Sequence, residues 1–415
     1  YCLIIEYLDI FNFSVFFKGG FLMFTKNDTL EKIMNTKPIK EAIGNLFPSC
    51  WLSQVPQQYF HHTLAEIEKE VSMDWGCPFL SDAFLECANL LMETVKKQRF
   101  LFIPLWKEEA NHVSTFLNAY SNPWIPDSDQ NNQNSVFLFT GNPIIDNIAF
   151  ANTAGAGSIP PYPSLAVSSE KRNLSKRPAV IICPGGAYEM LSSYSEGVQL
   201  AQRMERDGGY KAFILNYRIT PNYYPLPQMD LALAIMHIRA NAEEYQINPN
   251  QIIILGASAG GHLCASEAYL YDSLKQKVLE EFASKKQHSS ILEKYQTISA
   301  RPDNVGLLYP VISFLSDYHE GSYLNLTNQK TGLQKALSVE LHITSNYPPT
   351  YAFSNKDDGC VPVSNTIRLK EALDKTNVLH LCETYPTGDH GVGLGYSCSC
   401  KDWSEHMLAF FEKAL

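Results

Sequence analysis

The sequence predicts an α/β protein built on a mostly parallel, doubly wound sheet. Three observations carry that prediction. From Arg177 onward, short runs rich in β-branched residues alternate with longer helix-compatible stretches, as a parallel sheet with crossover helices demands. Runs such as Val180-Ile181-Ile182-Cys183 and Ile252-Ile253-Ile254-Leu255 are apolar along their whole length, which fits strands covered on both faces. The loops bearing Gly, Ser, Asp and His follow the C-terminal ends of these runs, the edge at which such sheets bind ligands.

In order, strands are predicted from Ala179 to Cys183, Ala212 to Tyr217, Gln251 to Leu255, Val305 to Tyr309, Thr350 to Ser354 and Leu379 to Tyr385. Helices fall near Gly197 to Arg206, Met229 to Glu243, Ala259 to Tyr271, Asn365 to Lys375 and Ser404 to Ala414. Two long segments, Tyr269 to Gln296 and Ser313 to Val339, are candidates for a cap over the strand ends.

Upstream, residues 23 to about 110 read as a helical extension. Asp28 or Thr29 caps a helix containing Leu30, Ile33 and Met34. Thr63 and Glu66 have capping-box spacing. Ser81 precedes Ala83, Phe84, Cys87, Ala88, Leu90, Leu91 and Val95, an apolar stripe at helical spacing that reads as packing against the main body. Val113 to Leu117 and Val136 to Phe139 are candidate antiparallel edge strands, and Thr153 to Lys176, rich in Gly, Ser and Pro, reads as a flexible excursion. Residues 111–415 are then one catalytic domain. The extension is assigned either to flanking the pocket or to homodimer contacts.

Residues 1–22 read as a non-native leader. Glu6 and Asp9 interrupt the apolar run from Tyr1 to Phe17, which lacks a basic leader and cleavage site and is shorter than a membrane span. Met23 opens an ordinary soluble start. Lys18-Gly19-Gly20 just before it is what AAA-GGA-GG, a ribosome-binding site, would encode.

The 415 residues are 45% hydrophobic and carry a net charge of −10, with no basic cluster, which argues against a nucleic-acid partner. No segment after Met23 is apolar enough to span a bilayer, so no membrane partner is expected. The ten cysteines have no framework spacing. Cys183, Cys264 and Cys382 read as small core residues in a reducing compartment, which makes the cytoplasm the expected location. Cys398-Ser399-Cys400 lacks a partnering cluster with zinc-ligand spacing, and His61-His62 reads as an ordinary pair, so no metal is expected.

The chemistry centres on Gly256-Ala257-Ser258-Ala259-Gly260, which joins a strand to a helix. A serine nucleophile needs this layout, because a sharp turn exposes its hydroxyl and lets the next N–H face a developing oxyanion. Taken alone, the pattern is equally an ordinary turn with a serine N-cap. Upstream, Cys183-Pro184-Gly185-Gly186-Ala187-Tyr188 ends a strand in paired glycines that let backbone N–H groups approach a carbonyl. Downstream, Asp357-Asp358 lies on the loop after one strand and His390 on a glycine-flanked loop after another. The order Ser, Asp, His is that of α/β-hydrolases. No cofactor is needed. The residues leave three alternatives beside an esterase: a serine peptidase, an amidase or formamidase, and a non-catalytic binding protein.

From about residue 176 to 415 the chain resembles bacterial acetyl esterases and acetylxylan-esterase-like proteins of the hormone-sensitive-lipase type. The segments that carry the resemblance are residues 183–188, Pro225-Leu226-Pro227-Gln228-Met229-Asp230, residues 256–263, Arg301-Pro302-Asp303, Tyr309-Pro310-Val311-Ile312, residues 357–363 and Gly388-Asp389-His390-Gly391. It implies the α/β-hydrolase fold and hydrolysis of short-chain acyl esters, carbohydrate esters among them, with a small-molecule or oligosaccharide substrate. It implies a Ser258, His390 and Asp358 triad, because Asp358 stands four residues before Pro362 as in the family loop. The implied oxyanion hole is the N–H of Ala259 with those of Gly185, Gly186 or Ala187. Two departures shift that assignment by up to one residue: Ala187 replaces a frequent third glycine, and Pro184 a frequent histidine. Tyr188 and Glu189 are candidates to line the pocket, Tyr188 as a substrate contact. His262 reads as structural, on the buried helix behind the serine.

Overall fold

The computed structural model describes residues 24–36, 59–70, 85, 100–106, 115–116, 164–168 and 176–415, the last apart from 285–288, 331 and 396–397. The leader, most of the 81–95 stripe and the expected strand from Val136 to Phe139 lie outside the described residues.

Near the start are two short helices, α1 (Leu30–Asn35) and α2 (Leu64–Glu70). Thr29 caps α1, accepting from Lys32 N–H at 3.3 Å. Thr63 and Glu66 form the reciprocal capping box: Glu66 Oε2 accepts from Thr63 N–H at 2.7 Å and Thr63 Oγ1 from Glu66 N–H at 3.3 Å. Leu30, Ile33, Leu64 and Ile67 bury the apolar side of the pair.

The sheet begins with β1 (Phe100–Pro104), β2 (Thr115–Phe116) and β3 (Ser164–Ser168). β4 (Arg177–Cys183), a π-helical turn (Tyr194–Val198), α3 (Gln199–Arg206), β5 (Lys211–Asn216), α4 (Leu226–Ala240) and β6 (Ile247–Ala257) follow. Next come α5 (Ser258–Ser284), α6 (Ser289–Gln296), β7 (Asn304–Leu308), α7 (Glu320–Thr327), α8 (Leu333–Leu337) and β8 (Thr350–Asn355). The chain closes with α9 (Ser364–Leu373), β9 (His380–Tyr385) and α10 (Trp403–Ala414). Among the described residues the strand order is β2-β1-β3-β5-β4-β6-β7-β8-β9. The neighbouring pairs β2–β1, β1–β3 and β3–β5 are antiparallel, and all pairs from β5 to β9 are parallel. This is the α/β-hydrolase arrangement. α3 and α10 cover one face, tied by Arg203 to Ser404 (3.2 Å) and Glu405 (3.3 Å), and α4, α5 and α9 cover the other. Ile181, Ile254, Leu307 and Phe353 on the central strands are wholly buried.

Four expectations needed correction. Residues 100–104 lie in the stretch read as helical, but Phe-Leu-Phe-Ile-Pro pairs with all five residues of β3. Pro104, which lacks an N–H, lies past the two residues that β2 covers, so its outer side needs no partner. For the same reason residues 164–168 are strand, not flexible excursion.

The helix after Ser258 does not stop at Tyr271. Leu274, Val278 and Phe282, four apart, are buried and carry α5 on to Ser284. Phe282 stacks on Trp106 with centroids 5.3 Å apart. Trp106 in turn donates to the buried Asp230 at 2.6 Å and lies under the Arg218 guanidinium.

Consequently the described residues of 269–296 form no cap. α6 packs on α4 and α5 near the C-terminus of α4, where Lys294 donates to Asn241 at 2.6 Å. The segment from 313 to 339 does lie over the strand ends: Asn325 donates to the Ala187 carbonyl at 3.0 Å.

Candidate active site

β6 and α5 meet at Ser258, whose φ is +52°, a conformation L-residues rarely hold. The turn closes because its flanks are small: a methyl on Gly260 would sit 2.6 Å from the Pro184 carbonyl oxygen. Ser258 opens a 27-residue helix, so the N–H groups of the first turn, Ala259 among them, have no intrahelical partner.

Two loops from other strands arrive at this serine. Asp358 follows β8. Its side chain is fully buried, and its Oδ1 accepts from Cys360 N–H (2.9 Å) and Val361 N–H (2.8 Å). His390 follows β9. Its Nδ1 lies 2.7 Å from Asp358 Oδ2 and its Nε2 2.9 Å from Ser258 Oγ. A carboxylate only accepts, so Nδ1 carries the ring proton and Nε2 is left to accept from the serine hydroxyl. Asp357 does something else. Its oxygens accept from Asp389 N–H (2.9 Å) and Gly388 N–H (3.2 Å), which braces the backbone of the histidine loop. Asp389 completes the lacing by accepting from Gly359 N–H at 3.1 Å.

Facing Ser258 is the turn after β4. Gly186 (φ +126°) and Ala187 (φ +55°) line the cleft. Gly185 does not. Its N–H donates to Glu196 Oε2 at 2.8 Å, so Gly185 is corrected as an oxyanion donor. A glycine is still needed there, because a methyl would lie 2.7 Å from Glu196 and 2.9 Å from Ser258 Cβ.

Tyr188 is also corrected. It is wholly buried behind the turn, and its hydroxyl meets His262 Nδ1 at 2.9 Å, so it cannot touch a substrate. Burial pushes its phenol well above the usual range. Glu189 and Met190, the next two residues, line the cleft instead. His262 sits behind the serine, its Nε2 2.8 Å from the Leu337 carbonyl, and burial lowers its pKa from 6.5 to about 4.

The cleft has a volume of about 550 Å³ and opens on Ser258 and His390. Among the cleft residues that sequence reasoning missed, two stand out. His319 caps α7, its Nδ1 accepting from Ser322 N–H at 3.2 Å, and faces the site; burial and the neighbouring His390 lower its pKa. Glu196, in the π-helical turn, is 3% exposed and bonds Gly185 and Tyr309. Burial raises the Glu196 pKa, while His390 and these hydrogen bonds oppose the rise. Its serine-rich context, Ser192-Ser193-Tyr194-Ser195, looks like solvated loop, so nothing in the sequence flagged it. Among the described residues no helix is long and apolar enough to cross a membrane.

The BD-FAE family model matches residues 165–373. Endo-1,4-beta-xylanase B of Butyrivibrio fibrisolvens is 30% identical over 235 residues, 55% of this chain and 34% of that protein. Acetylxylan esterase of Xylanibacter ruminicola is 30% identical over 225 residues, 52% of this chain and 41% of that protein. The chain thus spans well under half the length of these curated relatives. Among solved structures, the acetyl ester-xyloside bifunctional hydrolase from Caldicellulosiruptor lactoaceticus superposes with a TM-score of 0.53 at 32% identity, covering 62% of this chain and 90% of that one.

Proposed function

The chain belongs to the BD-FAE family, and from that premise we propose that it is a serine carboxylesterase that removes short acyl groups, acetyl above all, from a carbohydrate. One observation carries the reading: an unbroken hydrogen-bonded chain from Ser258 through His390 to Asp358 at the floor of an open cleft.

Ser258 Oγ attacks the ester carbonyl while His390 Nε2 takes its proton. Asp358 holds the imidazole in the required tautomer and stabilises its charged form. The oxyanion is received by the Ala259 N–H and by those of Gly186 and Ala187, which make no other hydrogen bond among the described residues. His390 then protonates the leaving alcohol and activates the water that releases the acid.

The preference for acetyl rests on the two xylan-associated relatives and the acetyl ester-xyloside hydrolase, together with a cleft of modest volume. The test is a panel of acetyl and decanoyl esters, acetylated xylan oligomers, peptides and formamides, with a fluorophosphonate probe for the nucleophile. The expected result is fastest turnover of acetyl esters, acetate release from the oligomers, and labelling at Ser258. Faster cleavage of peptides or formamides, or a label on another residue, would overturn the reading.

A further inference from the structure

Glu196 takes no part in the acyl-transfer steps above, yet it lies in the same cleft with both oxygens engaged. Oε2 accepts from Gly185 N–H and Oε1 from the Tyr309 hydroxyl, each at 2.8 Å. The Tyr309 hydroxyl accepts in turn from Gly393 N–H at 3.0 Å, and its ring stands edge-on to His390 with centroids 5.0 Å apart. One carboxylate therefore ties together the turn after β4, the turn after β7 and the loop that carries His390.

Burying a carboxylate is costly, and a neutral side chain of similar size would fill this space without that cost. The cost has a chemical return where positive charge develops nearby, and His390 is the group that becomes positive.

We propose that Glu196 is a positioning residue for the reaction: through Gly185 it fixes the backbone that presents the Gly186 and Ala187 N–H groups, and as a second negative charge beside His390 it stabilises the imidazolium. The proposal rests on the esterase reading. The other titratable groups around the site are Asp358 at His390 Nδ1, Tyr309 edge-on to its ring, His319, Cys360 and Asp389 lining the same cleft, and Asp357 braced against the Asp389 N–H. Of these carboxylates, Asp358 alone hydrogen-bonds the ring, and Asp357 and Asp389 are committed to backbone N–H groups.

Glu196→Gln keeps the length and the acceptor for Gly185 but removes the charge. Without that charge the imidazolium is less stable. The expected result is a kcat for an acetyl ester lowered about 10- to 100-fold, with KM within about threefold. The acid limb of kcat/KM should move to lower pH by roughly half a unit or more. Tyr309→Phe keeps the charge, so its limb should stay in place while kcat falls less. A folded Glu196→Gln enzyme with an unmoved acid limb overturns the proposal, whatever its kcat. If that variant does not fold, Glu196→Asp decides: kcat lowered more than about tenfold with the limb unmoved supports the proposal, and wild-type kcat overturns it. A wild type inactive on every ester removes the esterase reading and the proposal together; an active one isolates the proposal.

Discussion

Two histidines flank Ser258, one on each side of the turn that holds it, and they are chemically opposite. In front, His390 keeps 17% of its side chain exposed and places one nitrogen on the serine and the other on a carboxylate. Behind, His262 lies only four residues after Ser258 but is wholly buried against Phe314. The Leu337 carbonyl fixes the proton on its Nε2, so Nδ1 accepts from Tyr188. Closeness in sequence to the nucleophile thus says little about a histidine's role. A carboxylate partner and an open side make a base; a carbonyl, a phenol and no solvent make a structural linchpin.

The largest effect should come from removing one histidine or the other. His390→Ala is expected to cost roughly 10³- to 10⁴-fold or more in kcat with a nearly unchanged melting temperature. His262→Ala should do the reverse. It leaves a cavity and an unpaired buried phenol, worth about 2–4 kcal/mol of stability, while activity per folded molecule stays within a few-fold. Urea unfolding and active-site titration of both variants would measure this, and matching effects would erase the distinction.

Within the front side, the two adjacent acids sharpen the contrast. Asp358→Asn should lower kcat about 10³- to 10⁴-fold, because the imidazole loses its orienting acceptor. Asp357→Asn only weakens the brace on residues 388 and 389 and should cost less than about tenfold. The opposite ranking in steady-state kinetics would move the orienting role to Asp357.

Acid should expose the back side. Burial holds His262 at a pKa of about 4 against 6.5, so the folded chain refuses a proton that the unfolded chain accepts. Stability from this site is full above pH 6.5 and falls as pH drops toward 4, by roughly 3 kcal/mol. His237, also lowered to about 4 by burial, adds in the same direction. Melting temperature against pH should slope through that window and flatten in His262→Gln. The smallest effect is Tyr188→Phe, about 1–2 kcal/mol less stable with catalysis intact, because among the described residues the hydroxyl hydrogen-bonds only His262.

The front side was the more legible. Ser258, Asp358 and His390 each follow a strand on a turn-forming stretch, and the strand ends bring such loops to one edge whatever their distance in the chain. Boundaries of the six parallel strands fall within a few residues of the expected ones, because uninterrupted β-branched runs have few alternatives. What stayed hidden depends on contacts rather than pattern. Glu196 becomes interesting only when Gly185 and Tyr309 close around it. β1 is apolar in a helix-like context and declares itself only by pairing with β3. Tyr188 looked like a pocket residue until the positive φ values of Ala187 and Tyr188 turned its ring inward.

The pairing of β1 with β3 also sets how the chain can be cut. The family match starts at residue 165, inside β3, and stops at 373, before β9. A fragment with those ends would keep Ser258 and Asp358 and lose His390. It would also strip β1 from one side of the sheet and β9 from the other, leaving the outer backbone groups of β3 and β8 without partners. Bare strand edges template pairing with other chains, so self-association would compete with folding. A fragment meant to stay soluble should therefore start before Phe100 and run through α10.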